Sequence, residues 1–216
     1  MKTINPDKLG LSKDKLIAME NFFKEKYIKN GKLAGIQTLI ARKGKVVHFE
    51  STGLRDVENN KKIEKDTIFR IYSMTKPITS VALMQLFEQG LFQLADPVGK
   101  FLPEFKNPRV FVSGSYPHFM TRPADREISI RDLLTHTAGL TYGFHYRTNI
   151  DHAYRKVWSG PRGDNTDFSF PPLDLENFSQ SIASLPLEFS PGDKWNYSVA
   201  TDTVSYTHLT LPTRRF

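Results

Sequence analysis

The chain has 216 residues, with 30 lysines and arginines against 23 acidic residues, 39% hydrophobic residues and no cysteine. That length suits one medium domain or two small ones with a substantial core, and the 12% aromatic content excludes a disordered chain. The missing cysteines exclude disulfides, thiol catalysis and Cys-based metal centres. The +7 net charge falls wholly within residues 1–65, where acidic side chains interleave, so it reads as a solvated face rather than a nucleic-acid stripe.

Residues 12–30 have the pattern of an amphipathic helix. Ser12 can cap it, Leu16, Met19, Phe23 and Tyr27 recur on one face, and Gly31 offers a left-handed stop. Gly35–Arg42 and Val46–Glu50 flank Lys43-Gly44-Lys45, which predicts a β-hairpin with glycine in its turn. The apolar-aromatic run Phe69–Tyr72 reads as strand-like and leads directly into Ser73. From Met74 to Gln89 a helix is predicted, with Gly90 at its stop; Pro77 is tolerable because first-turn amides have no intrahelical partner.

The middle of the chain reads as irregular, with short helical turns punctuated by Asp96-Pro97 and Leu102-Pro103. Ile130–Thr135 reads as a short helix closed by His136-Thr-Ala-Gly139. Residues 141–175 are rich in Gly, Pro, Asp, Asn and aromatics, and a segment of that composition reads as a lid or binding wall. Tyr142, at its start, is the substrate-binding candidate. No internal repeat is present. No apolar run approaches the roughly 18 residues of a membrane-spanning helix, and Met1–Lys8 lacks the apolar core of a secretory signal. A cytoplasmic protein with no membrane or nucleic-acid partner is the expectation.

The chemistry centres on Ser73-Met74-Thr75-Lys76. Ser-x-x-Lys in a helix's first turn puts a hydroxyl and an ammonium on one face, where the helix terminus also favours an anion. A lysine there deprotonates serine only if its surroundings lower its pKa. The pattern alone is weak, because Ser12-Lys13-Asp14-Lys15 matches it too. The apolar segments on either side set Ser73 apart. A second element, Pro191-Gly192-Asp193-Lys194-Trp195-Asn196-Tyr197-Ser198, projects from a Pro-Gly turn a tyrosine that can complete a Ser–Lys–Tyr relay; taken alone, it equally suits a core tyrosine. In the third element, Leu133–Leu140, His136 reads as structural, bonding nearby backbone, rather than as a base. No Gly-x-Ser-x-Gly elbow and no His-Glu-x-x-His zinc motif occurs, and His145 and His152 are poorly spaced as ligands. No metal or other cofactor is expected.

These segments, with Gln89–Val98 between the first and third, resemble the serine β-lactamase-like superfamily, which includes class C β-lactamases, DD-peptidases and β-lactamase-like (family VIII) carboxylesterases. The resemblance runs in order over roughly residues 10–203. It implies an α/β (α+β) fold of the β-lactamase/transpeptidase type, an antiparallel sheet backed by helices plus a mostly helical domain. Residues 1–72 would begin the first and residues 73–203 form the second. It also implies Ser73 as nucleophile, Lys76 as its base partner and Tyr197 as the Tyr-x-Asn tyrosine. Val199 stands where lactamases and peptidases carry that Asn, which shifts the expectation toward an ester substrate. A carboxylesterase acting through an acyl-enzyme is the leading reading. A β-lactamase or DD-peptidase is the alternative within the class, and a catalytically inactive binding or scaffolding homologue the alternative outside it.

The third motif of the superfamily, a Lys/His/Trp-x-Gly-like strand, is not found in the 19 residues after Tyr197. The DNA GTC-TCT-TAT-ACA-CAT-CTG-ACG-CTG-CCG-ACG would encode Val204–Thr213, and it resembles a transposon adapter used in shotgun sequencing. The expectation is therefore that residues 204–216 are a non-native tail on a fragment that is itself inactive.

Overall fold

The computed structural model describes residues 2–143, 146–159, 174–198 and 207. The chain divides into two compact units, Met1–Arg70 and Ile71–Phe216. The expected foreign tail, Thr207 apart, lies outside the described residues, as do Val199 and His145.

In the first unit, helix α1 (Lys13–Phe23) is capped by Ser12, whose hydroxyl accepts the Lys15 N–H at 3.3 Å. The predicted helix to residue 30 is shortened. A single π-helical turn, Lys24–Ile28, follows α1, and Gly31 then turns the chain out at φ +65°. Strands β1 (Gly35–Arg42) and β2 (Lys45–Asp56) pair antiparallel, and the two-residue strand β3 (Lys61–Lys62) extends the sheet in the order β1-β2-β3. Their turn holds Lys43 and Gly44 at φ +51° and +70°, both left-handed, which matches the right-handed twist of the strands. Val47 and Phe49 on β2 and Ile63 are buried, whereas α1 buries no residue fully. Glu20 of α1 ties to the hairpin through His48 Nε2 at 2.7 Å, and Thr38 stands 2.9 Å from the same nitrogen.

The second unit holds the larger core. Helix α2 (Thr75–Glu88) contributes Leu83 and Leu86, and α3 (Ile130–Thr135) contributes Ile130 and Leu133. Helix α4 (Asn149–Ser159) adds Ile150, Ala153 and Tyr154, and α5 (Leu175–Ala183) adds Phe178 and Ile182. The connection from α2 to α3 contains the expected short turns at Val98–Lys100 and Pro103–Phe105. It also contains an unexpected hairpin, β4 (Arg109–Ser115) and β5 (His118–Pro123), whose Val110 enters the core.

Two further expectations are overturned here. Phe69–Ile71 is not a strand: it belongs to no sheet among the described residues, and Ile68 beside it is 96% exposed. β-Branched and aromatic content favours strands only where there is a half-buried surface to pack on. Residues 141–175 are not all loop, because α4 begins at Asn149. Its Ile150, Ala153, Tyr154 and Val157 face the core at helical spacing, and His152 lies on this helix.

Candidate active site

Ser73 sits in a 3₁₀ turn, Tyr72–Met74, that feeds α2, with Lys76 the second residue of the helix. Residues three apart at a helix entry share one face, and Lys76 Nζ donates to Ser73 Oγ at 3.4 Å. The turn is entered through Tyr72 at φ +47°, a left-handed conformation that costs a non-glycine residue about 1–2 kcal/mol. Backbone strain of this kind gathers where a site must hold a side chain at a sharp bend. Nothing in the residue order announces it: a tyrosine at the end of an apolar run reads as strand.

Tyr197 arrives from the other end of the unit. Its hydroxyl donates to Ser73 Oγ at 2.7 Å, and Lys76 Nζ lies 4.9 Å from the centre of its ring. The hydrogen bond with Ser73 holds the Tyr197 phenol below the ordinary tyrosine pKa; partial burial opposes this and the Lys76 ammonium reinforces it. Ser73, Lys76 and Tyr197 therefore meet as one cluster.

Why Tyr197 reaches Ser73 follows from two loops that zip together. Helix α3 starts at a capping box, with Ser129 Oγ accepting the Asp132 N–H and Asp132 accepting the Ser129 N–H. Arg126 grips the same buried carboxylate at 2.6 and 2.8 Å. Burial pushes the Asp132 carboxyl up, but Arg126 and Ser129 outweigh it and hold its pKa down to about 2. The helix ends at His136, left-handed at φ +60°. From there the Glu188, Gly192 and Asn196 N–H groups donate in turn to the carbonyls of Gly139, Thr137 and His136, at 2.8, 2.9 and 3.0 Å. Gly139 is required: its φ is +83°, and a β-carbon there would collide with the Phe189 carbonyl oxygen.

His136 joins this arrangement through its backbone and its ring. Its carbonyl takes the Asn196 N–H, and its ring packs edge-on against Tyr197 with centroids 4.8 Å apart. Trp195 lies 6.4 Å from both rings and is largely exposed. Tyr142 is buried, and burial first, then the neighbouring Tyr197, pushes its phenol up. It borders the cluster through Tyr197. Ser12, the other Ser-x-x-Lys serine, spends its hydroxyl on the helix cap.

The sequence profile of the family named Beta-lactamase matches residues 21–206. The chain belongs to this family. It is 37% identical to protein Rv1367c of Mycobacterium tuberculosis, over 81% of this chain and 40% of that protein. It is 32% identical to esterase EstB of Burkholderia gladioli, over 94% of this chain and 47% of the esterase. Among solved structures, EstCE1, described as a hydrolase with promiscuous acyltransferase activity, superposes with a TM-score of 0.69 at 28% identity, covering 91% of this chain and 47% of EstCE1. The chain thus spans less than half the length of the curated relatives it matches. The mixed architecture of helices and antiparallel sheets agrees with the β-lactamase/transpeptidase fold expected from the sequence motifs.

Proposed function

We propose that this chain carries the nucleophile, base and relay residues of a serine carboxylesterase working through an acyl-enzyme on small-molecule esters. The observation that carries the reading is the 2.7 Å contact between Tyr197 and Ser73, formed across 124 positions of sequence. Ser73 Oγ attacks the ester carbonyl carbon. Tyr197, as phenolate, is placed to accept the Ser73 proton, and the adjacent Lys76 ammonium offsets the charge. The proton then passes to the departing alkoxide, leaving the acyl group on Ser73. Water, activated by the same pair, releases the acid. Main-chain amides, that of Ser73 among them, hold the oxyanion.

Support for an ester over a lactam or peptide comes from the 32% identity with esterase EstB and from Val199 in place of the amide residue of the Tyr-x-Asn motif. EstCE1 is described as a hydrolase with promiscuous acyltransferase activity, and the corollary we propose here is that an acceptor other than water intercepts the acyl-enzyme. A full-length protein containing these residues, assayed with short-chain acyl esters and a chromogenic cephalosporin, tests the reading. Ester turnover should exceed cephalosporin turnover and vanish in Ser73→Ala. Ester turnover that survives Ser73→Ala unchanged would refute it, and dominant cephalosporin turnover would favour the lactamase.

A further inference from the structure

Immediately before Tyr197 stands Asn196, a buried polar residue held on several sides. Its Nδ2 donates to Glu188 Oε2 at 2.8 Å and lies 3.4 Å from Thr141 Oγ1, while its Oδ1 accepts from Arg147 Nη2 at 3.2 Å. Its main-chain N–H is the one that donates to His136 O. The network continues inward. Thr141 Oγ1 donates to buried Asp151 Oδ1 at 2.8 Å, and the Arg147 N–H donates to Asp151 Oδ2 at 2.8 Å. Hydrogen bonds therefore run from α4 through Thr141 and Arg147 to the residue that precedes the tyrosine of the cluster.

We infer that Asn196 is a positioning residue that sets where the Tyr197 hydroxyl meets Ser73, an inference that rests on the Ser73–Tyr197 relay reading. Three physical points carry it. The tyrosine hydroxyl is the far end of a long side chain, so a small backbone rotation at position 196 becomes a large displacement at the oxygen. A displacement of about 1 Å in such a contact is enough to cost on the order of 10²-fold in rate. On the preceding side Trp195 is largely exposed, so little packing there fixes the segment. Finally, an amide suits the site: its Nδ2 donates to Glu188 while its Oδ1 accepts from Arg147, two separate atoms of one planar group. An aspartate would set like charges against Glu188, and an alanine would remove the side-chain bonds made at position 196 and leave a void.

The test uses the full-length protein and a short acyl ester, with Asn196→Ala, Asn196→Asp, and Asn196→Asp combined with Glu188→Gln. In the double variant the donor and acceptor exchange sides, so the bond between positions 188 and 196 is kept. Each single variant is expected to lower kcat by ~10- to 10²-fold. KM should hold within about threefold, and the pH limb governed by Tyr197 should move toward alkali as its contact with Ser73 loosens. The double variant is expected to recover to within about threefold of the parent kcat. Melting temperature and circular dichroism are recorded for each. If Asn196→Ala does not fold, the decision rests on Asn196→Asp and its rescue. Parent-like kcat and pH profile in the folded single variants, or no recovery in the folded double variant, would overturn the inference. Ser73→Ala, run alongside, separates the two levels. A dead Ser73→Ala with parent-like Asn196 variants removes only the positioning role, whereas an active Ser73→Ala removes the relay and the positioning role with it.

Discussion

Ser12 and Ser73 each stand three residues before a lysine at the entry to a helix, yet the surroundings give them different work. Ser12 caps α1, its hydroxyl spent on the Lys15 N–H in an exposed setting, and no second region of the chain approaches it closely enough to bond the hydroxyl among the described contacts. Ser73 does not cap α2. A left-handed Tyr72 swings it into a 3₁₀ turn, and its oxygen meets Lys76 from its own helix and Tyr197 from the far end of the unit. The spacing supplies the lysine in both cases. What brings one serine into a three-residue cluster is the third group, delivered by the zipped loops at His136–Gly139 and Glu188–Asn196.

The largest effect should fall on Ser73. Replacing it with alanine in the full-length protein should lower kcat/KM for a short ester by at least ~10³-fold, whereas Ser12→Ala should leave kcat/KM within about twofold. Steady-state kinetics on the two variants decides this. Next in size is Tyr197→Phe, which keeps the ring against His136 and Lys76 but removes the hydroxyl. It should cost ~10²–10⁴-fold in kcat with the melting temperature nearly unchanged. If Tyr197→Phe melts well below the parent and keeps its kcat, the tyrosine is a core residue and the contrast with Ser12 loses its basis.

A smaller effect tests the scaffold that delivers Tyr197. The folded Asp132 pKa of about 2 lies below the value of about 3.9 for an unfolded aspartate. Its stabilisation is therefore present above about pH 4 and is lost as pH falls toward 2. Denaturant titrations across that window should show stability falling steeply in the parent and less steeply in Asp132→Asn, which is already destabilised at neutral pH. Equal slopes would mean that the Arg126–Asp132 pair does not anchor the turn. The smallest effect belongs to Ser12. Loss of its cap should cost ~0.5–2 kcal/mol in chemical denaturation and nothing in catalysis.

Local signals were legible where a residue's role is met by its neighbours. Gly44 marks the first hairpin turn, Gly90 the end of α2 and His136-Thr-Ala-Gly139 the end of α3, because each turn demands a backbone state that few residues supply. The bounds of α1 were less legible, since the apolar stripe through Tyr27 continues past the point where the backbone slips into a π turn. The β4–β5 hairpin has no clear sequence signal because its strands carry mixed polar residues and only Val110 is deeply buried. Helix α4 was masked by the turn-forming residues around it, although Ile150, Ala153 and Tyr154 hold a clear helical period. At the site, Ser73 and Lys76 are legible as a local pair. Tyr197 could be joined to them only through the resemblance of ordered motifs, since no spacing rule links positions 124 residues apart. Tyr72 and Asn196 could not be found that way: one acts through a strained dihedral angle and the other through a buried network assembled from four separate segments.

The most direct test of the central claim is covalent labelling. A full-length protein containing these residues is treated with a fluorophosphonate, digested and mapped by peptide mass spectrometry. The account predicts adduct mass on the peptide bearing Ser73, none on the peptide bearing Ser12, and labelling that falls at least ~10²-fold in rate in Tyr197→Phe. An adduct on Ser12, or an active protein whose Ser73 stays unlabelled while ester turnover is blocked, would contradict it.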